Sequence, residues 1–139
     1  MNVISIFAAA ILSLSTICAY AQGPDPNAPV GSTPRILADI AADRKEMEKK
    51  LQDTFQSAVH AVETNEHINR DGGREMVIRD LKAAQAAWKE FREKQCSFLY
   101  SYYYEEIGSL GARAAGIWAY ERELIETRIK ELENPPNYF

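Results

Sequence analysis

The chain reads as an all-α protein, an antiparallel three-helix bundle of long helices, and three observations lead there. Apolar residues recur at intervals of three and four along three long stretches, the spacing that gathers them on one face of a helix. Asn, Asp and Gly clusters separate those stretches. No segment alternates apolar and polar residues far enough to form a half-buried strand. At 139 residues the chain is one small domain, near the size at which helix packing alone can supply an adequate core.

The first element is expected to be absent from the mature protein. Residues Val3 to Ala19 are apolar apart from scattered Ser and Thr, too short and wrongly flanked for a membrane span. Ala19-Tyr20-Ala21 then places small residues at the two positions a signal peptidase inspects. Residues 1–21 are therefore read as a signal peptide cleaved after Ala21, which implies a periplasmic or secreted protein and no stable membrane insertion of the mature chain. Ile17 precedes Cys18 where a lipidation signal requires a small residue, so Cys18 leaves with the peptide. Residues 22–34, QGPDPNAPVGSTP, hold four prolines and two glycines and form a flexible segment.

The helical domain is expected over 35–134. Its first helix spans about Ile36 to Thr64, with Leu37, Ile40, Met47, Leu51, Phe55, Ala58 and Val62 on one face and neither Gly nor Pro inside. NEHINRDGG ends it and lets the chain reverse. A second helix runs from about Arg74 to Ile107, and Gly108-Ser109-Leu110-Gly111 turns the chain again. The third covers about Ala112 to Glu133, with Trp118, Ile125 and Leu132 spaced by sevens beside Ile117, Leu124 and Ile129. Pro135 and Pro136 stop it, leaving a short tail over 135–139.

The second helix carries the residues of interest. Gln85, Trp88, Arg92 and Cys96, at spacings of three, four and four, put an amide, an indole, a guanidinium and a thiol along one face. A second stripe, Val77, Leu81, Ala84, Trp88, Phe91, Gln95, Phe98 and Tyr102, alternates steps of four and three and is read as the seam packed against the other helices. A buried Gln and Arg require partners. Together with Arg128 they are read as a polar clasp, with Glu121, Glu123 and Glu126 of the third helix as acceptors. The competing reading is a binding site. Cys96, once Cys18 is gone, has no intramolecular mate, so it is a buried inert thiol, a reactive one, or the link of a homodimer.

Tyr100, Tyr102, Tyr103 and Tyr104 close the second helix, and four rings in five residues cannot all face one core. With Glu105 and Glu106 they form a candidate interaction surface, aromatic and acidic, suited to a basic protein. The net charge of −4 falls wholly after the predicted cleavage point, the first charged side chain being Asp25, and it speaks against a general nucleic-acid binder, which needs a basic stripe. His60, Glu63 and His67 share a helical face but lack a fourth ligand, so no metal site is assigned. No nucleophile with a partnered base, phosphate loop or serine elbow occurs. The chain is accordingly read as a non-enzyme with no catalytic residues and no cofactor.

Leu81, Ala84, Gln85, Trp88, Phe91, Arg92 and Cys96 spell L-x-x-A-Q-x-x-W-x-x-F-R-x-x-x-C, followed by Gly108-Ser109 after the aromatic run and by Thr127-Arg128 before Glu131-Leu132. On these residues the chain resembles the LprI-like lysozyme inhibitor family, small bacterial envelope proteins. The resemblance covers the second and third helices. It implies a helical protein that binds lysozyme or a related cell-wall hydrolase and occludes its cleft. It also implies a second cysteine about two turns before the closing Arg128, tied to Cys96, yet Trp118 to Leu124 read WAYEREL, without one. Trp118 and Tyr120 are the residues expected to compensate. The alternative function is a non-enzymatic envelope adaptor or structural module that docks another protein or its own copy.

Overall fold

The computed structural model describes residues 23–68, 72–104 and 108–135. The signal peptide expected over 1–21, the acidic pair Glu105 and Glu106, and the tail from Pro136 lie outside the described residues. Among the described residues three helices are present, α1 at Thr33–Thr64, α2 at Gly73–Tyr102 and α3 at Leu110–Glu133, with one 3₁₀ turn at Glu66–Ile68. No strand occurs among the described residues, so the all-α reading holds.

Each helix begins where local chemistry permits. Pro34 sits in the first turn of α1, where its missing N–H costs nothing. Before it, the Pro-rich segment is organised by short hydrogen bonds, from Asp25 N to Pro34 O at 3.0 Å and from Ser32 N to Pro29 O at 3.0 Å. Gly72 enters α2 at φ 74°, a left-handed conformation that a Cβ would strain. Ser109 caps α3, its hydroxyl accepting from Ala112 N at 3.4 Å. The second helix is shorter than its sequence suggests. It ends at Tyr102 rather than near Ile107, because Tyr103, at φ −87° and ψ 1°, turns out of the helix while its N–H still bonds Leu99 O.

Cross-helix contacts order the elements. Asp43 and Arg44 of α1 meet Trp118 and Glu121 of α3, whereas Gln85 meets Arg128 and Arg92 meets Glu121. Rising numbers on α1 thus match rising numbers on α3 and falling numbers on α2. Successive helices are antiparallel, and α1 and α3 run side by side in the same direction. At their N-terminal ends Gly111 lets them close up, since a Cβ there would stand 3.1 Å from Thr33 Oγ1 and 3.2 Å from Ile36 Cδ1.

The core comes from two helices. Met47, Leu51, Phe55 and Val59 of α1 interlock with Trp118, Ile125, Ile129 and Leu132 of α3, and Leu51 and Ile125 are the most deeply buried. On α2 the buried side chains are Gln85 and Arg92, both polar, while Ile78, Leu81 and Trp88 only lean against the core. This corrects the seam expected on α2. The stripe from Val77 to Tyr102 does not face inward along its length: Ala84 is exposed, and Phe91, Phe98 and Tyr102 remain 46%, 59% and 57% exposed. Helix α2 is rotated by about one residue, so that its polar face meets the other two helices.

Candidate functional site

The polar face of α2 is held by acceptors on both neighbours. Arg92 Nη1 lies 2.6 Å from Glu48 Oε1 of α1, placed as an ion pair and not as a well-directed hydrogen bond, and its Nε is 3.8 Å from Glu121 Oε1 of α3. The other oxygen of Glu121 accepts from Arg44 Nη2 at 2.6 Å. Glu121 is thus shared by two guanidinium groups and joins all three helices. Two turns of α2 earlier, Gln85 Oε1 accepts from Arg128 Nε at 2.9 Å, and Arg128 Nη1 reaches Glu131 at 2.9 Å. Of the three acceptors expected on α3, Glu121 takes that role. Glu126 instead bonds Arg122 one turn away at 3.0 Å, and Glu123 faces solvent, because their positions on α3 point away from α2. Glu48 was not legible as a partner, since α1 carries charges on every exposed face.

Two tryptophans frame this cluster. Arg92 stacks over Trp88 and Arg44 over Trp118, each 5.1 Å from the ring centroid. Trp118 Nε1 donates to Asp43 Oδ2 at 2.9 Å, and Arg122 reaches the same oxygen at 3.1 Å. Trp118 therefore fastens α3 to α1, and Tyr120 is half-buried. Two turns before Arg128, where the resemblance implies a cysteine, stands Glu121. A charge clasp joins α3 to α2 at the level where a disulfide was implied.

Cys96 lies half-buried on the edge of the same cluster. Burial, reinforced by the Glu121 carboxylate, pushes its thiol up to about 11, against the weaker opposite pull of Arg92 and Arg44. A thiol so raised is almost wholly protonated at pH 8, where the thiolate is the nucleophile. Iodoacetamide is expected to alkylate it at least tenfold more slowly than a cysteine in an unfolded peptide at that pH, and denaturant should abolish the difference. Rapid labelling of the folded protein would contradict this. The reactive-thiol reading is thereby disfavoured, and the homodimer linked through Cys96 gains no support.

The aromatic end of α2 divides into two groups. Tyr102 packs edge-on against Tyr103 with ring centroids 5.1 Å apart and lies 5.9 Å from Phe98. Tyr100 and Tyr104 hold Arg113 of α3, whose guanidinium is 5.6 Å and 4.7 Å from their ring centres. Tyr102 and Tyr104 are more than half exposed, whereas Tyr100 and Tyr103 are partly covered. Fixed rings with free faces lose little entropy when a partner covers them.

His60 and Glu63 approach to 3.7 Å on the solvent face of α1, and His67 lies in the following 3₁₀ turn. No group of three metal-ligating side chains forms among the described residues. None of the described helices is long and apolar enough to cross a membrane.

Compared with known proteins, residues 25–132 match the family model described as Lysozyme inhibitor LprI, which covers all three helices and not only the two that carry the motif. No curated protein and no solved structure matches the chain.

Proposed function

Because the chain belongs to the lysozyme inhibitor LprI family, we propose that it is a periplasmic or secreted protein that binds lysozyme or a related cell-wall hydrolase and inhibits it by covering the cleft. Membership of an inhibitor family is the observation that carries this reading. No chemistry of the inhibitor's own is required. The contact surface is the aromatic end of α2, where Tyr102 and Tyr104 are exposed and the chain continues into Glu105 and Glu106. Tyrosines supply contact area at low entropic cost, and an acidic rim favours a basic cleft by steering encounter. The motif residues Leu81, Gln85, Trp88, Phe91, Arg92, Cys96 and Arg128 serve the fold rather than this contact, with the exception of Phe91, which faces outward.

A cell-wall lysis assay tests the proposal. The purified protein should slow lysis by lysozyme in proportion to its concentration. The double substitution Tyr102→Ala/Tyr104→Ala should raise the concentration for half-inhibition about tenfold or more, the loss of two interface rings, while far-UV circular dichroism shows the helices kept even though Tyr104 no longer covers Arg113. Full lysis at a large molar excess of the unaltered protein would overturn lysozyme as the target.

A further inference from the structure

The outward stripe of α2 is not explained by the bundle. From Val77 to Tyr102 the stripe, apolar or ring-bearing at every position but Gln95, holds a strict alternation of four and three, a period of 3.5 sustained along roughly 38 Å of helix. Leu81 and Trp88 lean partly on the core, but the exposed Ala84, Phe91, Phe98 and Tyr102 serve no contact within the bundle's core. A second helix lying nearly along α2 would follow it, whereas the rounded surface of a globular enzyme would touch only part of it.

The stripe is also uneven in a self-complementary way. Its first half is aliphatic, with Val77, Leu81 and Ala84 before Trp88, and Ala83, Ala86 and Ala87 beside it are exposed. Its second half bears the rings of Phe91, Phe98 and Tyr102. We propose that this face is where a second copy of the chain docks without a covalent link, α2 against α2 in antiparallel register. With the two-fold axis between Trp88 and Phe91, Ala84 opposes Gln95 of the second copy, Leu81 opposes its Phe98 and Val77 its Tyr102, so rings meet aliphatic side chains at both ends. Along the edge Lys94 comes opposite Ala87 and Asp80 opposite Ser101, so no like charges meet. The contact closes on itself and cannot propagate into a fibre.

The area is adequate for a modest dimer. Rings of this size bury about 150–250 Å² when covered, so the exposed halves of Phe91, Phe98 and Tyr102 offer about 300 Å² per copy. The alanines, Trp88 and the stems of Lys82, Lys89 and Lys94 bring this to roughly 600 Å², the low end of specific interfaces. The docking does not rest on the inhibitory reading, and Tyr104 lies off the stripe.

Sedimentation of the purified protein over about 5–200 μM should show the mass moving from one copy to two, as a micromolar interface requires. Phe91→Ser/Phe98→Ser, and separately Ala84→Glu, should each weaken the dimer at least tenfold while far-UV circular dichroism and Tm stay unchanged. A spin label at Lys82→Cys in a Cys96→Ser background should report a separation of about 25 Å between copies, against about 10 Å for parallel helices. A monomer throughout the range, a dimer undiminished in both variants, or the short separation overturns the proposal. So does a monomer whose one-to-one complex with added lysozyme is lost in Phe91→Ser/Phe98→Ser, because the stripe then belongs to the enzyme. Loss of inhibition in Tyr104→Ala, a position off the stripe, with the dimer intact separates the two readings, because Tyr102 belongs to both surfaces.

Discussion

Glu121→Ala is expected to lower stability by about 3 kcal/mol, the low end of the cost of breaking a buried ion pair, because Arg92 keeps one of its two acceptors. The Glu121 side chain is 11% exposed and that of Arg92 10%, and Glu121 is their link across the α2–α3 interface. The Arg44 limb counts for less, because that side chain is 41% exposed and water can replace the lost carboxylate. Most of the penalty therefore falls on Arg92, which keeps Glu48 but loses its acceptor on α3. A drop in Tm of more than about 10 °C, followed by far-UV circular dichroism, is the expected readout. The triple substitution Arg44→Met/Arg92→Met/Glu121→Leu distinguishes the mechanism. Removing these three charges at once should recover much of the loss, since the one ion left behind, Glu48, is 37% exposed and water can replace Arg92 there. If Glu121→Ala melts like the unaltered protein, the clasp does not hold the bundle together.

Ile125→Ala is expected to cost about 3–4 kcal/mol by a different route. Ile125 is fully buried, and with Leu51 it forms the centre of the α1–α3 core. Truncation removes three carbons' worth of transfer free energy and leaves a cavity that rigid, close-packed helices cannot collapse into. Chemical denaturation should show a lower midpoint with an unchanged slope, because the surface exposed on unfolding is nearly the same. Ile125→Val should lose only about 1 kcal/mol. For a domain of ordinary stability, about 5–15 kcal/mol, either Glu121→Ala or Ile125→Ala removes a large fraction of the margin. An Ile125→Ala protein as stable as the parent would mean that the α1–α3 contact is not the core.

The two substitutions probe two different kinds of interface. Helices α1 and α3 are joined by apolar side chains, and the buried contribution of α2 is polar. The contrast bears on the cysteine. Where the family resemblance implies a bridge from Cys96 to α3, this chain carries Glu121 between Arg92 and Arg44, and the attachment of α2 rests on charge and hydrogen bonds. Screening by salt should weaken the exposed Arg44 limb more than the buried Arg92 limb.

The three helices and the core residues of α1 and α3 were determined by the sequence itself. Met47, Leu51, Phe55, Trp118, Ile125 and Leu132 stand at spacings that only a helix gathers on one face, and their apolar faces have one stable destination. Val59 in place of Val62 is the small discrepancy at the fraying end of α1. A clasp of Gln85, Arg92 and Arg128 with acceptors on the third helix was legible too, as polar groups that could not be buried unpaired, whereas the choice of Glu121 and of Gln85 as the acceptor for Arg128 was not. Which face of α2 turns inward was not. The stripe through Gln85 and Arg92 and the stripe through Ala84 and Phe91 are offset by one residue, about 100° around the helix, and each repeats at helical spacing. Hydropathy alone favours the second. The first is chosen because Glu48, Glu121 and Arg128 approach from two other helices, and their convergence exists only once the chain has folded. The same rotation leaves Phe91, Phe98 and Tyr102 at the surface, so the tertiary structure made an outer face of the residues the sequence marked for the core.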